Sequence, residues 1–209
     1  MGEFSLDNVN DLCLDVLKEI GNIGAGNATT AIANMIGAKI DMKVPTVKLM
    51  EASQLGSAIC PEEETIVGIL LEVSHDISGS IMFLMRMDSA RYLVNKLMMG
   101  MGGEPEPGQE FSEMELSALK EIGNIIAGAY LAAISSMTNL TMQPSVPMIA
   151  VDMAAAILSV PAIQFGLYGD NALFIETEFG DEVMINGYFI LMPDQESYGK
   201  ILASLGIVI

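Results

Sequence analysis

The chain has 209 residues, half of them apolar, enough for a sizeable core in one large domain or two small ones. Nine Lys and Arg stand against 27 Asp and Glu, a net charge of −18 that repels nucleic acid and anionic lipid and favours a partner with a basic patch. Cys13 and Cys60 have no metal-binding spacing and no disulfide framework, and the lone His75 gives a zinc site or a Ser-His-Asp triad no second member.

Met1 to Ser5 has neither a basic nor an apolar stretch, so no secretory signal is expected and the protein is placed in the cytoplasm. Asp7 or Asn8 is positioned to cap a first helix, in which Leu12, Val16, Ile20 and Ile23 form an apolar stripe. Asp15, Glu19 and Asn22 sit at i, i+4 and i+7 and share a different face. Gly21, Gly24 and Gly26 cost roughly 1 kcal/mol each against Ala in a helix interior, which calls for a compensating close approach of another backbone. Gly37 ends the helix.

Lys39 to Met50 then reads as a strand with Pro45 at an edge or bulge position, because proline cannot donate to a ladder. Thr65 to Val73 and Gly79 to Met87 form a hairpin around Ser74–Ser78, and a helix follows from Asp88 to Met98. Residues 102–108, Gly-Gly-Glu-Pro-Glu-Pro-Gly, are the clearest linker in the chain. Beyond it the order repeats. Ser112 with Glu115 is a capping-box signature, and Leu116, Leu119, Ile122 and Ile125 supply the stripe of the second long helix. Met142–Val151, Ala172–Phe179 and Glu182–Met192 read as strands, with a last helix from Asp194 to Gly206. Met153–Leu158, bounded by Asp152 and Pro161, reads as an extra short apolar helix with no counterpart in the first half. The apolar window from Val146 to Gly166 holds Pro147, Asp152 and Pro161, so no transmembrane helix is expected.

The repetition is in register. Asp15, Glu19, Asn22 and Pro45 return 102 residues later as Ser117, Glu121, Asn124 and Pro147, inside the shared run Leu-Lys-Glu-Ile-Gly-Asn-Ile. A match of this length at one offset marks a duplicated unit. The expected fold is α/β of the α+β type, internally duplicated and pseudo-two-fold, with one central antiparallel sheet of about six strands covered by helices. Residues 1–209 are read as a single domain of two repeats, 7–101 and 109–206. Gly21–Gly26 is not a phosphate loop: Asn27-Ala28 follows where a Walker loop needs Lys-Ser/Thr, and Thr29 stands where a dinucleotide fingerprint needs glycine.

The pattern Asp15-x3-Glu19-x2-Asn22-x22-Pro45, with its second copy from Ser117 to Pro147, resembles the motif of the CheC family of chemotaxis phosphatases. The resemblance covers nearly the whole chain, and both copies fit every fixed position. It implies hydrolysis of the aspartyl phosphate on the response regulator CheY by a monomer with no cofactor of its own, the regulator supplying Mg²⁺ and a lysine. Asn22 and Asn124 are then expected to position water, since an amide is neutral and both donates and accepts. Glu19 and Glu121 are expected to pair with the regulator's lysine. Asp15, Ser117, Pro45 and Pro147 take supporting roles. Gly26 and Gly128 suit either a close approach of the regulator's backbone or packing of the helix on the sheet. The alternative implied by the family is a binding module that sequesters the receptor deamidase CheD, with Ala154 and Ala156 in the expected docking segment.

Overall fold

A computed structural model describes residues 11–51, 54–100, 110–168, 171–181 and 184–206. The first half contains α1 (Asp11–Ile36), β1 (Asp41–Met42), β2 (Thr46–Glu51), α2 (Leu55–Ile59), β3 (Thr65–His75), β4 (Gly79–Arg86) and α3 (Met87–Gly100). The second contains α4 (Glu113–Thr138), β5 (Met142–Pro144), β6 (Met148–Met153), α5 (Ala154–Tyr168), β7 (Asn171–Gly180), β8 (Met184–Pro193) and α6 (Gln195–Ser204). The expected cap at Asp7 or Asn8 and the linker 102–108 lie outside the described residues.

Among the described residues, eight strands form one antiparallel sheet in six positions. β1 and β2 lie end to end along β7, then come β8, β4 and β3, and β5 and β6 lie end to end along β3. Each outer strand is divided at its proline. Met42 pairs with Phe179 and Thr46 with Glu176, so three residues of one strand oppose two of the other. Pro144 pairs with Val73 and Met148 with Leu70, which repeats the bulge around Pro147. Proline has no N–H to give a ladder, and the bulge removes the demand for one.

The strand order reads the same from both ends, and the first strand of each half crosses to the other half's hairpin. At the centre Phe83 of β4 is the register partner of Phe189 of β8, with ring centroids 4.6 Å apart. Tyr130 of α4 lies over Phe189 at 4.2 Å. Cross-strand aromatic pairs of this kind hold a sheet together by packing as much as by its ladder.

Both faces of the sheet are buried, which is why its central strands are continuous apolar runs. Ile69, Leu71, Ile81, Phe83, Ile175 and Phe189 pack under α1, α3, α4 and α6. Ile66, Met82, Leu84, Phe174 and Ile190 pack under α2 and α5. The alternation follows from the two-residue period of a strand. α2 was not anticipated, being only five residues long. It follows β2 as α5 follows β6, so the apolar helix of the second half does have a counterpart. α5 also runs on through Pro161, ten residues past the expected end at Leu158. Proline costs one backbone bond there, and the ring is buried.

The helix ends follow local chemistry. Gly37, at φ +66°, closes α1, and the Ala38 N–H bonds to Ala33 O at 3.2 Å. Ser112 and Glu115 form the expected capping box on α4. Asp194 caps α6 by accepting the Ser197 N–H at 2.7 Å.

Candidate functional site: paired acid and amide faces on two helices

At about 100° per residue, Asp15, Glu19, Asn22 and Gly26 fall within an arc of about 60° on α1. Leu17, Ile20, Ala25 and Ala28 occupy the opposite side and are buried. Asp15 and Glu19 are exposed and Asn22 is half-buried; on α4, Ser117 and Glu121 are exposed and Asn124 is half-buried. Both acid–amide pairs therefore face away from the core. Among the described residues, none of the four Glu and Asn side chains has a hydrogen-bond or ion-pair partner.

The apolar stripes are shifted at their edges. Ile20, Leu119 and Ile122 are buried as expected, but Val16, Ile23, Leu116 and Ile125 are half-exposed, and Leu17, Gly21 and Gly24 on α1, with Gly123 and Ile126 on α4, face inward. The glycines explain the shift. A Cβ at Gly21 would lie 2.6 Å from Val47 Cγ2, one at Gly24 2.5 Å from the Tyr130 ring, and one at Gly123 2.6 Å from Ile69 Cγ2. Against the expectation of a neighbouring backbone, the close approach at Gly21, Gly24 and Gly123 is to side chains of the sheet and of the facing helix. Ile23 and Ile125 are left beside the acid–amide faces as apolar shoulders.

The two faces differ at their first position. Asp15 accepts Lys18 Nζ at 2.9 Å in an exposed ion pair, where the second face carries the neutral Ser117. Pro45 is buried and Pro147 half-buried at their bulges, so each shapes a strand. The valines before them, Val44 and Val146, project outward and are 81% and 83% exposed.

The second face is anchored at the start of α4. Glu115 is buried, its Oε1 accepts Arg91 Nη1 at 2.5 Å and its Oε2 accepts the Ser112 N–H at 2.8 Å. Arg91 also donates to Glu110 O at 3.0 Å and lies over the Phe111 ring at 4.0 Å. Burial alone would raise the Glu115 carboxyl, but the Ser112 and Arg91 hydrogen bonds and the Arg91 charge outweigh it and hold it below the usual value. The capping box was legible as Ser112-x2-Glu115. Its partner 24 residues earlier was not.

The expected docking segment is split by the fold. Ala154 is fully buried in the core under α5, against the expectation that it lies on a docking surface, because the first turn of the helix is pressed onto the sheet. Ala156 is exposed, and further along the helix Ile163 is 66% exposed. Cys60 is buried, and burial raises its thiol above the ordinary value. No helix among the described residues is long and apolar enough to cross a membrane.

Solved structures of flagellar-switch and chemotaxis proteins share this fold. Thermotoga maritima FliY superposes over 95% of this chain and 98% of its own, with a TM-score of 0.74 at 21% identity. The Borrelia burgdorferi CheX–CheY–BeF3–Mg²⁺ complex contributes a chain that matches 82% of this one and 95% of its own, with a TM-score of 0.50 at 14% identity. The CheC-like family pattern matches residues 12–49 and 114–151, two segments that start 102 residues apart. Bacillus subtilis CheY-P phosphatase CheC is 33% identical over 199 residues, covering 92% of this chain and 93% of that protein. The chain belongs to the CheC-like family.

Proposed function

We propose that this protein is a chemotaxis phosphatase that hydrolyses the aspartyl phosphate of a CheY-type response regulator at two sites, Glu19/Asn22 and Glu121/Asn124. The observation that carries the reading is the pair of unpartnered acid–amide faces, turned to solvent on equivalent helices of one symmetric sheet. Support for the reaction comes from the Bacillus subtilis relative, a CheY-P phosphatase that matches almost end to end.

In this reading the regulator docks across the helix and brings Mg²⁺ and a lysine to its own phosphoryl group. Glu19 or Glu121 pairs with that lysine and fixes the register. The carboxamide of Asn22 or Asn124 holds a water in line with the phosphorus. The water oxygen forms the new bond to phosphorus, the bond to the aspartyl oxygen breaks with its electron pair going to the carboxylate, and the water's protons leave with phosphate and solvent. Positioning is most of what such a loose transition state asks of the protein. An amide does it without repelling the phosphoryl oxygens.

The test is the decay of phosphorylated regulator with and without the Asn22→Ala/Asn124→Ala double variant. Folding is expected to persist and stimulated decay to fall by about 10²-fold, worth about 2.7 kcal/mol of transition-state stabilisation. Undiminished decay removes both asparagines from the mechanism.

A second role, binding the deamidase CheD, is supported by the apolar rim where α5 meets β6. Met148 is 49% exposed there and Val160 36%, with Ile163 further along α5 at 66%. This rim lies on the face of the sheet opposite α1 and α4, so such a partner leaves both acid–amide faces open. Ile163→Asp with Ala156→Asp is expected to abolish CheD pull-down at unchanged turnover. Retained pull-down removes α5 from that role.

A further inference from the structure

α1 and α4 carry glycines of two kinds. Gly21, Gly24 and Gly123 are required, because a Cβ at each would meet a neighbouring side chain at 2.6 Å or less. Gly26 and Gly128 are not: a Cβ at either would meet nothing within 4 Å, and neither has the positive φ that demands glycine. Packing of the helix on the sheet therefore does not explain them. Both still carry the penalty of glycine in a helix interior. Each lies four residues after its asparagine, about 6 Å further along the helix axis and in line with the acid–amide face.

We infer that Gly26 and Gly128 are specificity-determining positions at which the partner's main chain passes closest to the helix, and that their missing side chains set how near Asn22 and Asn124 come to the phosphoryl group. The inference rests on the phosphatase reading above and adds residues to that site. The physical reason is reach. An asparagine side chain has two rotatable bonds, so its amide extends only a short way from the helix. A water held between that amide and a phosphorus requires the docked backbone to lie almost on the helix surface. A methyl one turn away holds the backbone off by more than an ångström, and a displacement of that size costs in-line attack about 10²-fold. Ile23 and Ile125 flank the same approach from the side, so the partner meets an apolar shoulder and a glycine floor.

The experiment is the double variant Gly26→Ala/Gly128→Ala, set beside Asn22→Ala/Asn124→Ala, in the full chain. Three quantities are read: the thermal midpoint, the decay of phosphorylated regulator, and binding to regulator loaded with beryllofluoride and Mg²⁺. The expected result for the glycine variant is a midpoint unchanged or raised, since Ala favours helix and has room. With it go a fall of at least tenfold in stimulated decay and weaker capture of the beryllofluoride-loaded regulator. A lowered midpoint overturns the inference, because the glycines are then structural. Wild-type decay in the glycine variant, with the asparagine variant inactive, overturns it while leaving the phosphatase reading intact. Wild-type decay in the asparagine variant removes that reading and the inference with it.

Discussion

Removal of the Arg91 guanidinium, as in Arg91→Met, is expected to cost about 3–5 kcal/mol, because it strands a carboxylate in the interior. The Glu115 side chain is 3% exposed, and without Arg91 it keeps only the Ser112 contacts. Arg91 also gives up its bond to Glu110 O and its place over Phe111. At a urea slope of about 2–3 kcal/mol/M, the loss moves the midpoint down by about 1–2.5 M. The informative partner is Arg91→Met/Glu115→Gln, which removes both charges but keeps a side chain able to close the capping box. Much of the loss is expected to return, since replacing a buried pair whole is far milder than breaking it. The exposed Lys18–Asp15 pair serves as a control, and Lys18→Met is expected to cost less than about 1 kcal/mol. A single variant that loses under about 1 kcal/mol refutes the reasoning, as does a double variant no better than the single.

Because the Glu115 carboxyl is held below its ordinary value in the folded chain, its stabilisation is fully present above the unfolded value of about 4.3 and is lost as pH falls through the folded one. Urea midpoints at about pH 7 and about pH 3 are therefore expected to differ less in Arg91→Met/Glu115→Gln than in the wild type. Gly24→Ala drives a Cβ to 2.5 Å from the buried Tyr130 ring, and overpacking of about 1–3 kcal/mol is expected to outweigh the helix gain in a thermal melt. Ser112→Ala removes the cap that accepts the Glu115 N–H and is expected to cost about 1 kcal/mol by urea titration.

The repeat and the acid–amide faces were legible because spacing alone places Glu19 with Asn22 and Glu121 with Asn124 on one side of a helix. The inward side was less so. Hydrophobicity assigned Ile23 and Ile125 to the core, whereas glycines took that side, since only they admit Val47, Tyr130 and Ile69 at such short range. Pro45 and Pro147 signalled a break in a strand, but the partner strand was hidden, because pairing between β2 and β7 spans 120 to 130 residues. α2 is too short to show a period, and Pro161 reads as a stop where the helix continues. The ion pair of Arg91 with Glu115 joins two helices across the linker, which no local pattern predicts.

The exchange of outer strands means that neither repeat owns a whole structure. β1 and β2, which follow the helix of the first site, hang on the hairpin of the second repeat, and β5 and β6 on that of the first. A chain severed between α3 and α4 therefore yields two fragments that each offer a bare sheet edge and become complete only by embracing one another. Damage to one hairpin is felt beneath the opposite helix, and the two halves stand or fall as a couple.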